Sequence, residues 1–171
     1  HSEDLDLAIR SLFAGSYPYL EVIVVENNSV EEKTFSYYEK IQEEFPARYG
    51  EFHTKAVRVV RWEREFNYSA INNFGVSFAH GDYLLFMNND IECLKADSVE
   101  EMLQFVQQEE VGICGARLLY PDKMIQHAGV VMGFGGIAGA TFIGTHETEN
   151  SYMHRAACIQ NYTAVTAAVL M

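Results

Sequence analysis

With 171 residues the chain has the size of one domain, and 49% apolar residues, ten Tyr and eleven Phe among them, can fill a sizeable buried core. Asp and Glu number 24 against 12 Lys and Arg, a formal net charge of −12. Such a chain repels phosphate backbones and offers no basic stripe, which excludes nucleic acid as a partner; any polyanionic ligand needs a local device such as a metal ion or a helix N-terminus.

The three cysteines, Cys93, Cys114 and Cys158, are far apart and odd in number. They form no CxxC pair and no disulfide framework, so a reducing compartment fits. Cys114 lies in an apolar run and reads as a small core residue rather than a nucleophile. No apolar run approaches the ~20 residues of a membrane helix, and no charged n-region with an apolar h-region opens the chain. The expectation is a soluble, cytoplasmic protein, with contact to the inner face of the membrane only through parts of a longer parent protein.

In chain order, Leu5, Ile9, Leu12 and Phe13 recur at helical spacing, which predicts a helix over Ser2 to Phe13 with Ser2 as N-cap. Tyr17-Pro18 breaks it, and the β-branched run Glu21 to Val25 predicts a buried strand. Ser29 and Glu32 have the spacing of a capping box for a second helix that ends near Phe45, before Pro46. Val57 to Arg61 reads as a strand, Ser69 to Ala79 as a helix and Tyr83 to Met87 as a strand. Asp97 or Ser98 caps a helix to Gln108, Val111 to Leu119 is strand-like, and beyond Pro121 glycine-rich turns lead to an apolar strand over Tyr162 to Met171. Strands alternating with amphipathic helices predict an α/β fold, with a mostly parallel sheet flanked by helices. Ligands of such sheets bind beyond the carboxyl ends of the strands. That directs attention to Glu26-Asn27-Asn28, Trp62 to Asn67 and Asn88-Asn89-Asp90, each following a strand.

Each segment has two readings. A carboxylate and an amide oxygen two residues apart, at Asp90 and Asn88, can share one hard cation; Asn and Asp are equally ordinary turn residues. Glu26 and Asn27 can read the imide edge of a base and a ribose hydroxyl, while Asn28 or Ser29 can simply cap the next helix. Asn67, Asn72 and Asn73 crowd a helix start although Asn is a poor helix former, which argues either for ligand contact or for capping. Gly133 to Ala138 has the GxGxxA form of a dinucleotide fingerprint, but the glycine- and β-branched-rich stretch after it cannot supply the required helix. His127, near that glycine segment, reads as a hydrogen-bonded structural histidine.

Six stretches in order resemble the family 2 glycosyltransferases. They are residues 17–29 (YPYLEVIVVENNS), 66–75 (FNYSAINNFG), 81–90 (GDYLLFMNND), 115–122 (GARLLYPD), 125–131 (IQHAGVV) and 164–168 (AVTAA). The resemblance covers nearly the whole chain and is nearest to bacterial members that build cell-surface polysaccharide, rhamnosyltransferase-like ones among them. It implies a GT-A fold, here incomplete, with a nucleotide-binding part over about 1–120 and a glycine-rich, acceptor-side part over about 121–171. It implies transfer, with inversion, of a hexosyl or deoxyhexosyl group from a UDP- or dTDP-sugar to a saccharide or lipid-linked acceptor, assisted by Mn²⁺ or Mg²⁺.

By the same resemblance Asp90 is the metal and diphosphate contact with Asn88 assisting, and Asn89 belongs to the donor site. Glu26 and Asn27 match the donor-base region, and Asn67 and Asn73 the stretch lining the nucleotide pocket. The family's first strand would precede His1 and its usual catalytic acid pair would follow Met171, so no catalytic base is assigned. The chain is expected to be truncated at both ends. The alternative is a non-catalytic remnant that binds nucleotide without transferring sugar.

Overall fold

A computed structural model describes residues 2–47 and 55–171. They fall into two compact units: residues up to Leu84 together with Asn88–Glu101, and Leu85–Met87 together with Met102–Met171.

In the first unit, α1 (Ser2–Phe13) presents Ala8, Ile9, Leu12 and Phe13 as its buried stripe, as the helical spacing of the sequence requires. The helix already includes Ser2 rather than being capped by it. β1 (Glu21–Glu26) and β2 (Ala56–Arg61) pair in parallel, Glu21 opposite Ala56 through Glu26 opposite Arg61. Between them runs α2 (Glu32–Glu44), which packs Ile41, with none of its surface exposed, against Ile9, Phe13 and Val57. Phe13 and Phe45 meet edge to face at 4.9 Å. The expected capping box does not form: Glu31 is the N-cap and makes no side-chain cap bond. The Ser29 amide instead donates to the Glu26 carboxylate at 2.6 Å.

α3 (Tyr68–Val76) starts at an Asn67 cap, whose Oδ1 accepts from the Ala70 amide at 2.9 Å. It ends three residues short of the expected Ala79, because the chain turns over through i→i+3 bonds from Phe78 to Gly75 and from Ala79 to Val76. Gly75 lies flush on β1: a Cβ there would stand 2.8 Å from a Val25 methyl. α4 (Ser98–Val106) leads on into the second unit.

The second unit is antiparallel. β3 (Phe86–Met87) pairs with β8 (Val169–Leu170), β4 (Leu118–Leu119) with β5 (Ile125–His127), and β6 (Val130–Met132) with β7 (Ala138–Ala140). The mostly parallel sheet is therefore corrected: among the described residues β1–β2 is the parallel strand pair, and three pairs are antiparallel. The runs at 83–87, 111–119 and 162–171 also shrink to strands of two residues each, with Gly115 and Ala164 making isolated bridges to Leu170 and Val130 rather than extending a ladder. Apolar character can bury a segment without giving its backbone a neighbouring strand. Gly133, Gly135 and Gly136, all at positive φ, form the turn of the β6–β7 hairpin, so no helix follows the GxGxxA stretch.

Candidate functional site

β1 and β2 end side by side, and the Trp62 amide donates to the Glu26 carbonyl at 2.9 Å just past the last pair. The chain then loops through Glu63, Arg64 and Glu65 to the Asn67 cap. Between this loop and α3 lies a cleft of about 560 Å³, with Arg61 to Arg64 on one wall and Asn73, Phe74 and Ser77 on the other. It sits beyond the carboxyl end of a parallel strand, where the geometry of such sheets places ligands. Gly75 brings α3 close to β1, so the next face of the helix, at Asn73 and Phe74, borders the cleft.

Glu26 is buried, and the Ser29 amide holds its carboxylate. Burial pushes the neighbouring Tyr38 phenol above its ordinary value; Ser29 opposes this, the Glu26 charge adds to it, and Arg61 opposes it again. The Asn27 side-chain amide donates to the carbonyls of Trp62 at 2.9 Å and Arg64 at 3.0 Å. Asn28 takes positive φ, a conformation asparagine tolerates, and its amide reaches the Arg64 carbonyl at 3.4 Å. The Arg64 guanidinium lies over the Trp62 indole, 5.3 Å from its ring centroid, and the Phe74 ring is tilted against the same indole with centroids 5.3 Å apart.

The three asparagines of α3 divide their roles. Asn67 caps the helix, Asn72 donates back to the Tyr68 carbonyl at 2.7 Å, and Asn73 lines the cleft. Asn88, Asn89 and Asp90 are exposed in the turn that follows β3. Among the described residues no three His, Cys, Asp or Glu side chains converge on one point. The donor set offered by Asp90 and Asn88 is thus one carboxylate and one amide oxygen. That suits a hard cation which takes its remaining ligands from phosphate and water, as Mg²⁺ commonly does.

The sequence directs attention to the segment from Trp62 to Asn67 but singles out neither Arg61, Trp62 nor Arg64 as site residues, nor Phe74 and Ser77 on the facing helix. A signal is present: two of only 12 Lys and Arg residues in an acidic chain flank its single Trp directly after a strand. In the second unit, burial lowers the His127 imidazole below its ordinary value, and its Nε2 accepts from the Gly129 and Thr166 amides, both at 3.2 Å. That is the structural role expected of it. No helix among the described residues is long and apolar enough to cross a membrane.

Comparison with known proteins follows the same line. The profile of glycosyl transferase family 2 matches residues 2–153. "Uncharacterized protein y4gI" of Sinorhizobium fredii (strain NBRC 101917 / NGR234) is 41% identical over 172 aligned positions, covering 100% of this chain and 18% of that protein. The O-antigen biosynthesis protein RfbC of Myxococcus xanthus is 39% identical over 135 positions, 78% of this chain and 10% of its own length. The chain therefore spans less than a fifth of either relative. No solved structure matches it.

Proposed function

This chain belongs to glycosyl transferase family 2, and from that premise we propose that it is the donor-binding portion of a glycosyltransferase of the GT-A fold. It acts in the cytoplasm and moves a hexosyl or deoxyhexosyl group, with inversion, from a UDP- or dTDP-sugar to a saccharide or lipid-linked acceptor. The product is a cell-surface polysaccharide, a reading supported by the name of the Myxococcus xanthus relative. The observation that carries the proposal is the cleft at the carboxyl end of β2, which combines aromatic, amide and guanidinium groups in an otherwise acidic chain. Those are the chemistries a base, a ribose and a diphosphate require.

In this reading Asn73 contacts the nucleotide, Asn67 sets the start of its helix, and Glu26 and Asn27 shape the floor at the end of β1. Asp90, with Asn88 and Asn89 beside it, faces the diphosphate and would hold Mn²⁺ or Mg²⁺. When bound, the cation offsets the charge that grows on the leaving diphosphate.

Calorimetric titration with UDP, dTDP and GDP, each with and without Mn²⁺, tests this. One uracil or thymine nucleotide should bind best, and Mn²⁺ should strengthen it. Asp90→Ala should remove the Mn²⁺ increment and leave the fold intact. A folded chain that binds none of the three nucleotides would overturn the donor reading, and an undiminished increment in the variant would remove Asp90 from the site.

A further inference from the structure

An asparagine amide has two N–H donors, and Asn27 gives its amide to two backbone carbonyls of one loop, those of Trp62 and Arg64. The loop is closed from within as well, since the Trp62 indole N–H donates to the Glu65 carbonyl at 3.1 Å. The same indole carries the Arg64 guanidinium on its face at 5.3 Å. Arg61, at the end of β2, lies over the Phe35 ring at 5.1 Å. Both arginines line the cleft.

Stacking occupies the flat face of a guanidinium and leaves its in-plane N–H groups directed outward. Among the described residues neither arginine is in an ion pair. Glu63 stands on the same wall, so the wall carries two positive charges against one negative, in a chain whose net charge is −12. A locally positive wall on an acidic protein selects an anion, and the fork of Arg suits the oxygens of a phosphate.

We infer that Arg64, with Arg61, contacts the donor's diphosphate directly, independently of any metal ion, and that Asn27 is the positioning residue that holds Arg64 at the cleft. The inference rests on the donor reading above. It assigns part of the charge neutralisation to the loop after β2 and gives Asn27 a role at one remove from the ligand.

The test is calorimetric titration of the chain with UDP and with uridine, in metal-free buffer at low and at raised salt. The parent chain should bind UDP without metal, more weakly as salt rises. Arg64→Ala, at an exposed position, should weaken UDP about tenfold or more, as expected for loss of a hydrogen bond to a charged group, and leave uridine unchanged. Asn27→Asp keeps the shape but cannot donate, so it should weaken UDP in the same direction, again sparing uridine; a general loosening of the fold would weaken both ligands together. Three results overturn the inference while leaving the donor reading in place: UDP binding seen only with Mn²⁺, equal UDP affinity in Arg64→Ala and parent, or parallel loss of uridine and UDP in Asn27→Asp. A parent chain that binds no uracil or thymine nucleotide under any condition overturns both.

Discussion

Gly75 sits inside α3 with helical backbone, where alanine is favoured over glycine by about 1 kcal/mol. On propensity alone Gly75→Ala should stabilise. The structure predicts the reverse. The new Cβ would stand 2.8 Å from the Val25 Cγ2, against ~3.5–4.0 Å for an ordinary carbon contact. Since Val25 is β-branched and held in a strand, the helix must lift by roughly 1 Å, and overpacking of this kind costs about 1–3 kcal/mol. The net change should be a loss of up to about 2 kcal/mol. Val25→Ala removes the opposing methyl groups at a cost of about 1 kcal/mol, given some 0.8 kcal/mol per methylene and partial burial. In that background Gly75→Ala should gain its full ~1 kcal/mol of helix propensity. Urea unfolding of the four proteins, at constant slope, should then yield a favourable coupling of about 1–3 kcal/mol. Lifting α3 also moves Asn73 at the cleft, so nucleotide affinity should fall in the single variant and recover in the double. Equal stabilisation by Gly75→Ala in both backgrounds would refute the contact as the reason for glycine.

Two further outcomes follow from single groups. Asn67→Ala removes the cap on the Ala70 amide and should cost about 1 kcal/mol by thermal or urea unfolding, whereas Asn67→Asp should retain most of it. His127 has a folded-state pKa below its ordinary value of 6.5 because it is buried, and its neutral Nε2 is the acceptor for two amides. Protons therefore bind the unfolded chain more readily. The stability contribution is complete above about pH 6.5 and declines as pH falls from there toward the depressed folded value. Unfolding free energy measured across that window should slope downward toward acid, and His127→Gln should flatten the slope.

Most of the first unit is legible in the sequence. α1, β1 and β2 fall within a residue of their expected bounds because each carries a periodic or β-branched signal strong enough to decide its own backbone. The Asn67 cap and the structural role of His127 are readable for the same local reasons. The second unit is not, since whether 83–87 or 162–171 forms a ladder depends on a partner far away in sequence: Phe86–Met87 and Val169–Leu170 pair with each other, while Ala164 makes only an isolated bridge to Val130. The capping box at Ser29 fails for a related reason: the buried Glu26 carboxylate, three residues earlier, competes for the same amide. At the site, residue types mark the right loop, but only three dimensions reveal that Asn27 binds the loop's backbone and that the arginines are the groups left facing the cleft.

The brace at Asn27 has a consequence for how this cleft can change. Its two donors grip main-chain oxygens, and every amino acid supplies a main-chain oxygen. Replacing the side chains at Glu63 or Arg64 therefore leaves the grip untouched. The loop's shape is inherited from position 27 while its chemistry is written at positions 63 and 64, so preference for one anionic ligand over another can drift by single substitutions without the scaffold being rebuilt. A library randomised at those two positions should fold throughout and differ chiefly in what it binds.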